Sequence, residues 1–91
     1  MKKLSVIGST GSIGCQTLEV VAAQPQQLQV VALAARRSLD LLVEQARRFR
    51  PQVVAILDEG LLDQLKQQLQ GTGITVLGGM SGVVEAARWP P

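Results

Sequence analysis

The stretch Lys3–Gly14, KLSVIGSTGSIG, sets a short run running from Leu4 to Ile7 directly before three glycines, Gly8, Gly11 and Gly14, spaced three apart. An apolar, mostly β-branched run of this length reads as a buried strand. From Ser12 onward, Ile13, Thr17, Leu18, Val21 and Ala22 recur at helical spacing, and Gln24-Pro25 stops that pattern. The glycines therefore sit in the turn between a strand and a helix. Helix-end N–H groups lack intrahelical partners, and the aligned peptide dipoles favour negative charge there. Such a turn suits a phosphate. Gly8 lets the strand turn sharply, Gly11 removes a Cβ from the path of a diphosphate, and Gly14 lets the helix pack close to the strand. Ser9, Thr10 and Ser12 offer hydroxyls beside it.

Further along, the same alternation repeats. Val30–Ala34 reads as a second buried strand, and Ser38 as the N-cap of a helix whose apolar face is Leu39, Leu42, Val43, Ala46 and Phe49, closed by Pro51. Val53–Leu57 reads as a third strand. Leu61, Leu62, Leu65 and Leu69 mark a third helix that ends at Gly71-Thr72-Gly73. Ile74–Leu77 is a short fourth strand, and Met80–Arg88 a last helix broken by Trp89-Pro90-Pro91. The order β-α-β-α-β-α-β-α with short connections calls for a parallel sheet with right-handed crossovers. The expected fold is α/β: a Rossmann-like three-layer α/β/α arrangement on a mostly parallel sheet of about four strands.

Composition agrees with that class. The chain has 91 residues, 46% of them hydrophobic but only 2% aromatic, so one core is built from aliphatic side chains. Net charge is +2, far from the dense basic surface of a nucleic-acid binder. A single cysteine and no histidine argue against a disulfide framework and a zinc site. Glycine and serine interrupt the N-terminal apolar run at once, unlike a signal peptide, and no apolar run is long enough to span a bilayer. The chain reads as soluble and cytoplasmic, with no nucleic-acid or membrane partner.

The end of the second strand selects the nucleotide. NAD sites of this kind place an acid about twenty residues beyond the glycines for the ribose hydroxyls, whereas arginine accommodates the 2′-phosphate of NADP. Here the residues are Arg36, Arg37 and Ser38, with no carboxylate among them. NADPH is the expected cofactor. Its candidate ligands are Gly8, Thr10, Gly11, Ser12, Ile13 and Gly14 at the turn, with Arg36, Arg37 and Ser38 at the second strand. The arginines at 47, 48 and 50 read instead as a solvated helix face.

The run Leu4–Gly14, followed by Thr17-Leu18, resembles the N-terminus of the 1-deoxy-D-xylulose 5-phosphate reductoisomerases, and the likeness continues through Val30–Leu33 to Val43-Glu44-Gln45. The resemblance implies that residues 1–91 are the N-terminal part of an NADPH-binding Rossmann-like domain. It implies NADPH diphosphate against Thr10, Gly11, Ser12 and Ile13, and the 2′-phosphate at Arg36, Arg37 and Ser38. Arg36 stands where the family often has a small residue. It further implies an enzyme that rearranges and reduces 1-deoxy-D-xylulose 5-phosphate to 2-C-methyl-D-erythritol 4-phosphate in isoprenoid synthesis, using Mg²⁺ or Mn²⁺, as a homodimer. The metal and catalytic residues are expected outside this chain, which alone is expected to be inactive. Two alternatives stand beside it: the cofactor domain of another NADP-dependent oxidoreductase such as a semialdehyde dehydrogenase, or a non-catalytic NADP-sensing module.

Other chemistry-bearing residues read as structural. Asp58 suits a cap for the helix near Gly60, Cys15 a small packed residue, and Trp89 a cover for an edge of the core.

Overall fold

The computed structural model describes residues 1–89. Its elements are β1 (Lys2–Ile7), α1 (Ser12–Ala23), β2 (Leu28–Ala35), α2 (Leu39–Phe49), β3 (Val53–Ile56), a 3₁₀ turn (Glu59–Leu61), α3 (Leu62–Gln68), β4 (Thr75–Gly78) and α4 (Gly79–Ala87). The four strands form one sheet in the order β1-β2-β3-β4, with every pairing parallel. The expected α/β class and alternation are what the chain adopts. The last helix ends at Ala87, just ahead of the break expected at Trp89-Pro90-Pro91, of which Pro90 and Pro91 lie outside the described residues.

Consecutive parallel neighbours joined by right-handed crossovers put all connecting helices on one face. The main core sits there: Leu18 and Val21 of α1, Leu42, Val43 and Ala46 of α2, and Leu65 of α3 pack on Val30, Leu33, Val54 and Ile56. Strand side chains alternate between faces, so Ala32, Ala34, Val53 and Ala55 point to the other side, where they meet Ala86 and Val83 of α4. Those positions are small, which lets α4 lie close to the sheet. The result is three layers. Trp89 extends this second cluster as a half-buried cover, its indole N–H donating to Gln52 Oε1 at 2.8 Å.

Strand and helix ends differ from the sequence reading by a few residues. β1 starts at Lys2 because its N–H donates to the Gln27 carbonyl at 2.8 Å and the strand pairs with β2 from Leu28. Backbone pairing thus carries the strand into two lysines that an apolar pattern excludes. Asp58 Oδ1 accepts from the Gly60 N–H at 3.0 Å, the expected cap, though it caps the 3₁₀ turn that precedes α3. Of the arginines on α2, Arg48 pairs with Glu19 at 3.0 Å, with both side chains exposed, and Arg47 donates to the Gln68 carbonyl. Among the described residues, no helix is long and apolar enough to cross a membrane.

Candidate functional site

The turn after β1 is built by its glycines. Gly8 has φ +78°, a left-handed conformation that favours glycine. It reverses the chain while both its N–H and that of Ser9 donate to the Ala34 carbonyl of β2, at 2.8 and 3.0 Å. A Cβ on Gly14 would collide with the Gly8 carbonyl oxygen and lie 2.7 Å from Ser9 Cα, so α1 rests directly on the turn. Gly11 is different. Its backbone is extended, with φ −79° and ψ 175°, and a Cβ would meet nothing closer than the Gly8 carbonyl oxygen at 3.5 Å. The fold itself does not require a glycine there.

Gly11 is the N-cap of α1 and provides no side-chain cap. The Gly11 N–H donates to the Gly8 carbonyl at 3.1 Å, and Cys15 N–H to the Gly11 carbonyl at 2.8 Å. The N–H groups of Thr10, Ser12, Ile13 and Gly14 have no backbone partner among the described residues. These donors lie at the positive end of α1, where an anion is favoured. A groove of about 640 Å³ runs beside them along the outer edge of β1, lined by Leu4–Gly8, Gly11–Gly14 and Thr17.

At the next strand, Arg36, Arg37 and Ser38 follow β2 and are exposed. Neither guanidinium is ion-paired among the described residues. Arg36 borders a small apolar cavity of about 260 Å³ formed by Ile7, Gly8, Ala34, Ala35, Leu57, Met80 and Val83. Ile7 and Gly8 line both this cavity and the groove, so the glycine turn and Arg36 share one end of the sheet. Ile7 pairs with Ala34 across the two strands, which sets the two ends side by side. Arg37 and Ser38 line neither cavity. Ser38 occupies the N-cap position of α2, but its hydroxyl makes no capping bond; the Ser38 carbonyl accepts from Leu42 N–H at 3.0 Å.

Against this geometry, the model of the 1-deoxy-D-xylulose 5-phosphate reductoisomerase family matches residues 4–91. The chain belongs to that family. A reductoisomerase of Geotalea uraniireducens is 53% identical over 87 residues, and one of a Synechococcus species (strain CC9605) is 50% identical over 95. The matches take in 96% and 98% of this chain but 22% and 23% of those relatives, so the chain spans about a fifth of their length. Among solved structures, the reductoisomerase of Zymomonas mobilis in complex with NADPH superposes with a TM-score of 0.89 at 34% identity, over 93% of this chain and 22% of that one. A reductoisomerase in complex with NADPH, fosmidomycin and magnesium gives 0.93 at 28% identity, over 99% and 22%. Membership does not favour the alternative readings, a semialdehyde dehydrogenase or a sensing module.

Within this reductoisomerase fold two side chains do not sit as their sequence positions imply. Ile13, read as part of the apolar helix face, is 80% exposed at the groove. It falls in the first turn of α1, where Gly14 and not Ile13 is the residue pressed onto the glycine turn. Ser9, read as a possible phosphate donor, is fully buried with its hydroxyl unpartnered. Its side chain turns inward under the turn. One residue of the site went unread: Gln45 of α2, which is buried and donates from Nε2 to the Ser9 carbonyl at 2.8 Å.

Proposed function

We propose that this chain is the N-terminal NADPH-binding portion of a 1-deoxy-D-xylulose 5-phosphate reductoisomerase, residues 1–91 being the first part of its dinucleotide domain. The observation that carries the reading is Gly11. A Cβ there has room within the protein, yet it would stand at the mouth of a helix whose first N–H groups are without partners. A close-approaching anion accounts for both. The diphosphate then lies against Thr10, Gly11, Ser12 and Ile13, with Gly8 and Gly14 shaping the turn. The cavity beside Arg36 suits the adenine by its apolar walls, and Arg36, Arg37 and Ser38 face the 2′-phosphate.

Bound NADPH supplies a hydride; the residues of this chain hold and orient it. In the whole enzyme that hydride reduces the aldehyde formed when 1-deoxy-D-xylulose 5-phosphate rearranges, giving 2-C-methyl-D-erythritol 4-phosphate for isoprenoid synthesis. Mg²⁺ or Mn²⁺ would hold the substrate oxygens, on ligands outside this chain. We assign the whole enzyme a homodimeric state and the cytoplasm on the same family grounds.

The test is cofactor preference. Guanidinium meets a phosphate with paired, charge-assisted bonds. A hydrogen bond to a charged group contributes about 1.5–3 kcal/mol, or roughly a 10- to 150-fold preference for NADPH over NADH. Calorimetric titration of Arg36→Ala/Arg37→Ala should show NADPH weakened at least about tenfold and NADH almost unchanged. The preference of the parent should shrink as salt rises, because the site is exposed. Equal loss for both cofactors would refute the assignment of the arginines to the 2′-phosphate.

A further inference from the structure

Gln45 stands at a position where an apolar residue would serve the core better. It is 7% exposed, and its Oε1 is buried without a partner. A buried amide with an orphaned oxygen is a poor choice for packing alone. Its Nε2, however, reaches across 36 residues of sequence to the Ser9 carbonyl at 2.8 Å. Among the described residues the only other donor to that carbonyl is the Cys15 thiol at 3.6 Å, a weak one.

We propose that Gln45 is a positioning residue for the dinucleotide site: from α2 its amide holds the Ser9 carbonyl and so presets the glycine turn that receives the diphosphate. The physical link is one peptide plane. The Ser9 carbonyl and the Thr10 N–H belong to the same trans peptide, whose C=O and N–H point in opposite directions. With the carbonyl drawn inward to α2, the Thr10 N–H is turned outward, and it has no backbone partner among the described residues. The next N–H, that of Gly11, is already committed to the Gly8 carbonyl. Releasing the Ser9 carbonyl would free this peptide to rotate, and a ligand would then have to order the turn before using it. Preorganisation of this kind acts on affinity.

The inference rests on the NADPH reading, and its test separates the two. Gln45→Met keeps the length and removes the donor; Gln45→Asn keeps an amide that falls short by one methylene. Each variant is compared with the parent by NADPH titration and, without nucleotide, by hydrogen exchange of the Gly11 amide. Leu65→Val, a core change on α3, serves as the stability control. The expected result is a loss of NADPH affinity of about tenfold in both Gln45 variants, with faster Gly11 exchange. Leu65→Val lowers the unfolding midpoint yet leaves the affinity of the folded protein unchanged. If either folded Gln45 variant bound NADPH as the parent does, or if Leu65→Val lost affinity equally, the positioning role would be overturned. A parent that fails to bind NADPH refutes the nucleotide reading itself. Unchanged Gly11 exchange would then refute the hold of Gln45 on the turn as well.

Discussion

Gly11→Asp should make the protein more stable while weakening its nucleotide binding about 30-fold. The backbone at Gly11 is in an extended conformation that any residue adopts, and the added Cβ meets only an ordinary contact at 3.5 Å. The position is the N-cap of α1, now without a side-chain cap. Aspartate is among the preferred caps, better than glycine by a few tenths of a kcal/mol. Its charge at the helix N-terminus adds about 0.3–1 kcal/mol. For a domain of this size a gain of 1 kcal/mol corresponds to roughly 4–8 °C in unfolding midpoint. In the proposed complex the same carboxylate would sit where the diphosphate approaches. Two like charges about 4 Å apart repel by about 4 kcal/mol at an effective dielectric of 20. Halved for solvent screening at this open site, that is still about a 30-fold loss in affinity. NADPH fluorescence titration and thermal denaturation on the same preparation measure both effects. Parent-like affinity in a folded Gly11→Asp protein would refute the diphosphate cradle. A lowered midpoint would refute the claim that the fold has no need of glycine at this position.

Two neighbouring changes should act on the fold itself. Gly14→Ala places a Cβ against the Gly8 carbonyl and within 2.7 Å of Ser9 Cα, so the turn or α1 must shift. Overpacking of this kind costs about 1–3 kcal/mol, and an undiminished unfolding midpoint would contradict the close contact. Arg50 has φ +50° as the residue closing α2. Left-handed backbone costs a non-glycine residue roughly 1–2 kcal/mol, whereas glycine adds about 0.4–1 kcal/mol of unfolded-state entropy. Arg50→Gly should therefore raise stability by up to about 1 kcal/mol; a fall in denaturant midpoint would count against the strain.

Local sequence carries the strands, the helices and the glycine turn because each is encoded within a few residues. Runs such as Val30–Ala34 and Val53–Ile56 are wholly buried, as parallel strands between helical layers must be. The spacing of Gly8, Gly11 and Gly14 encodes the turn, and the two outer glycines have visible steric causes. What spacing does not carry is the direction of a side chain in a turn. Ser9 and Ser12 look alike in sequence, but Ser9 is buried and Ser12 exposed. The difference arises because the Gly8 and Ser9 N–H groups are both drawn to one carbonyl of β2, a tertiary constraint. Ile13 shows the same limit: helical periodicity assumes a partner surface along the whole helix, whereas the first turn of α1 projects past the end of β1.

Gln45 is the instructive case, because a signal for it was present. It lies three residues after Leu42 and four before Phe49, squarely on the face of α2 that Leu42, Ala46 and Phe49 turn to the core. A polar side chain at an apolar position needs a hydrogen-bond partner, since a buried unpaired amide is costly. Within its own helix the backbone is committed, so the partner must come from another element packed against α2. That much follows from the pattern alone. Which element it is depends on the crossover geometry, which brings α2 beside the turn leaving β1. The donor of Gln45 then meets the carbonyl of Ser9, whose neighbour Thr10 begins the candidate phosphate contacts. A polar residue at a core position of a helix flanking a glycine turn is thus a reason to look for a hidden support of that turn.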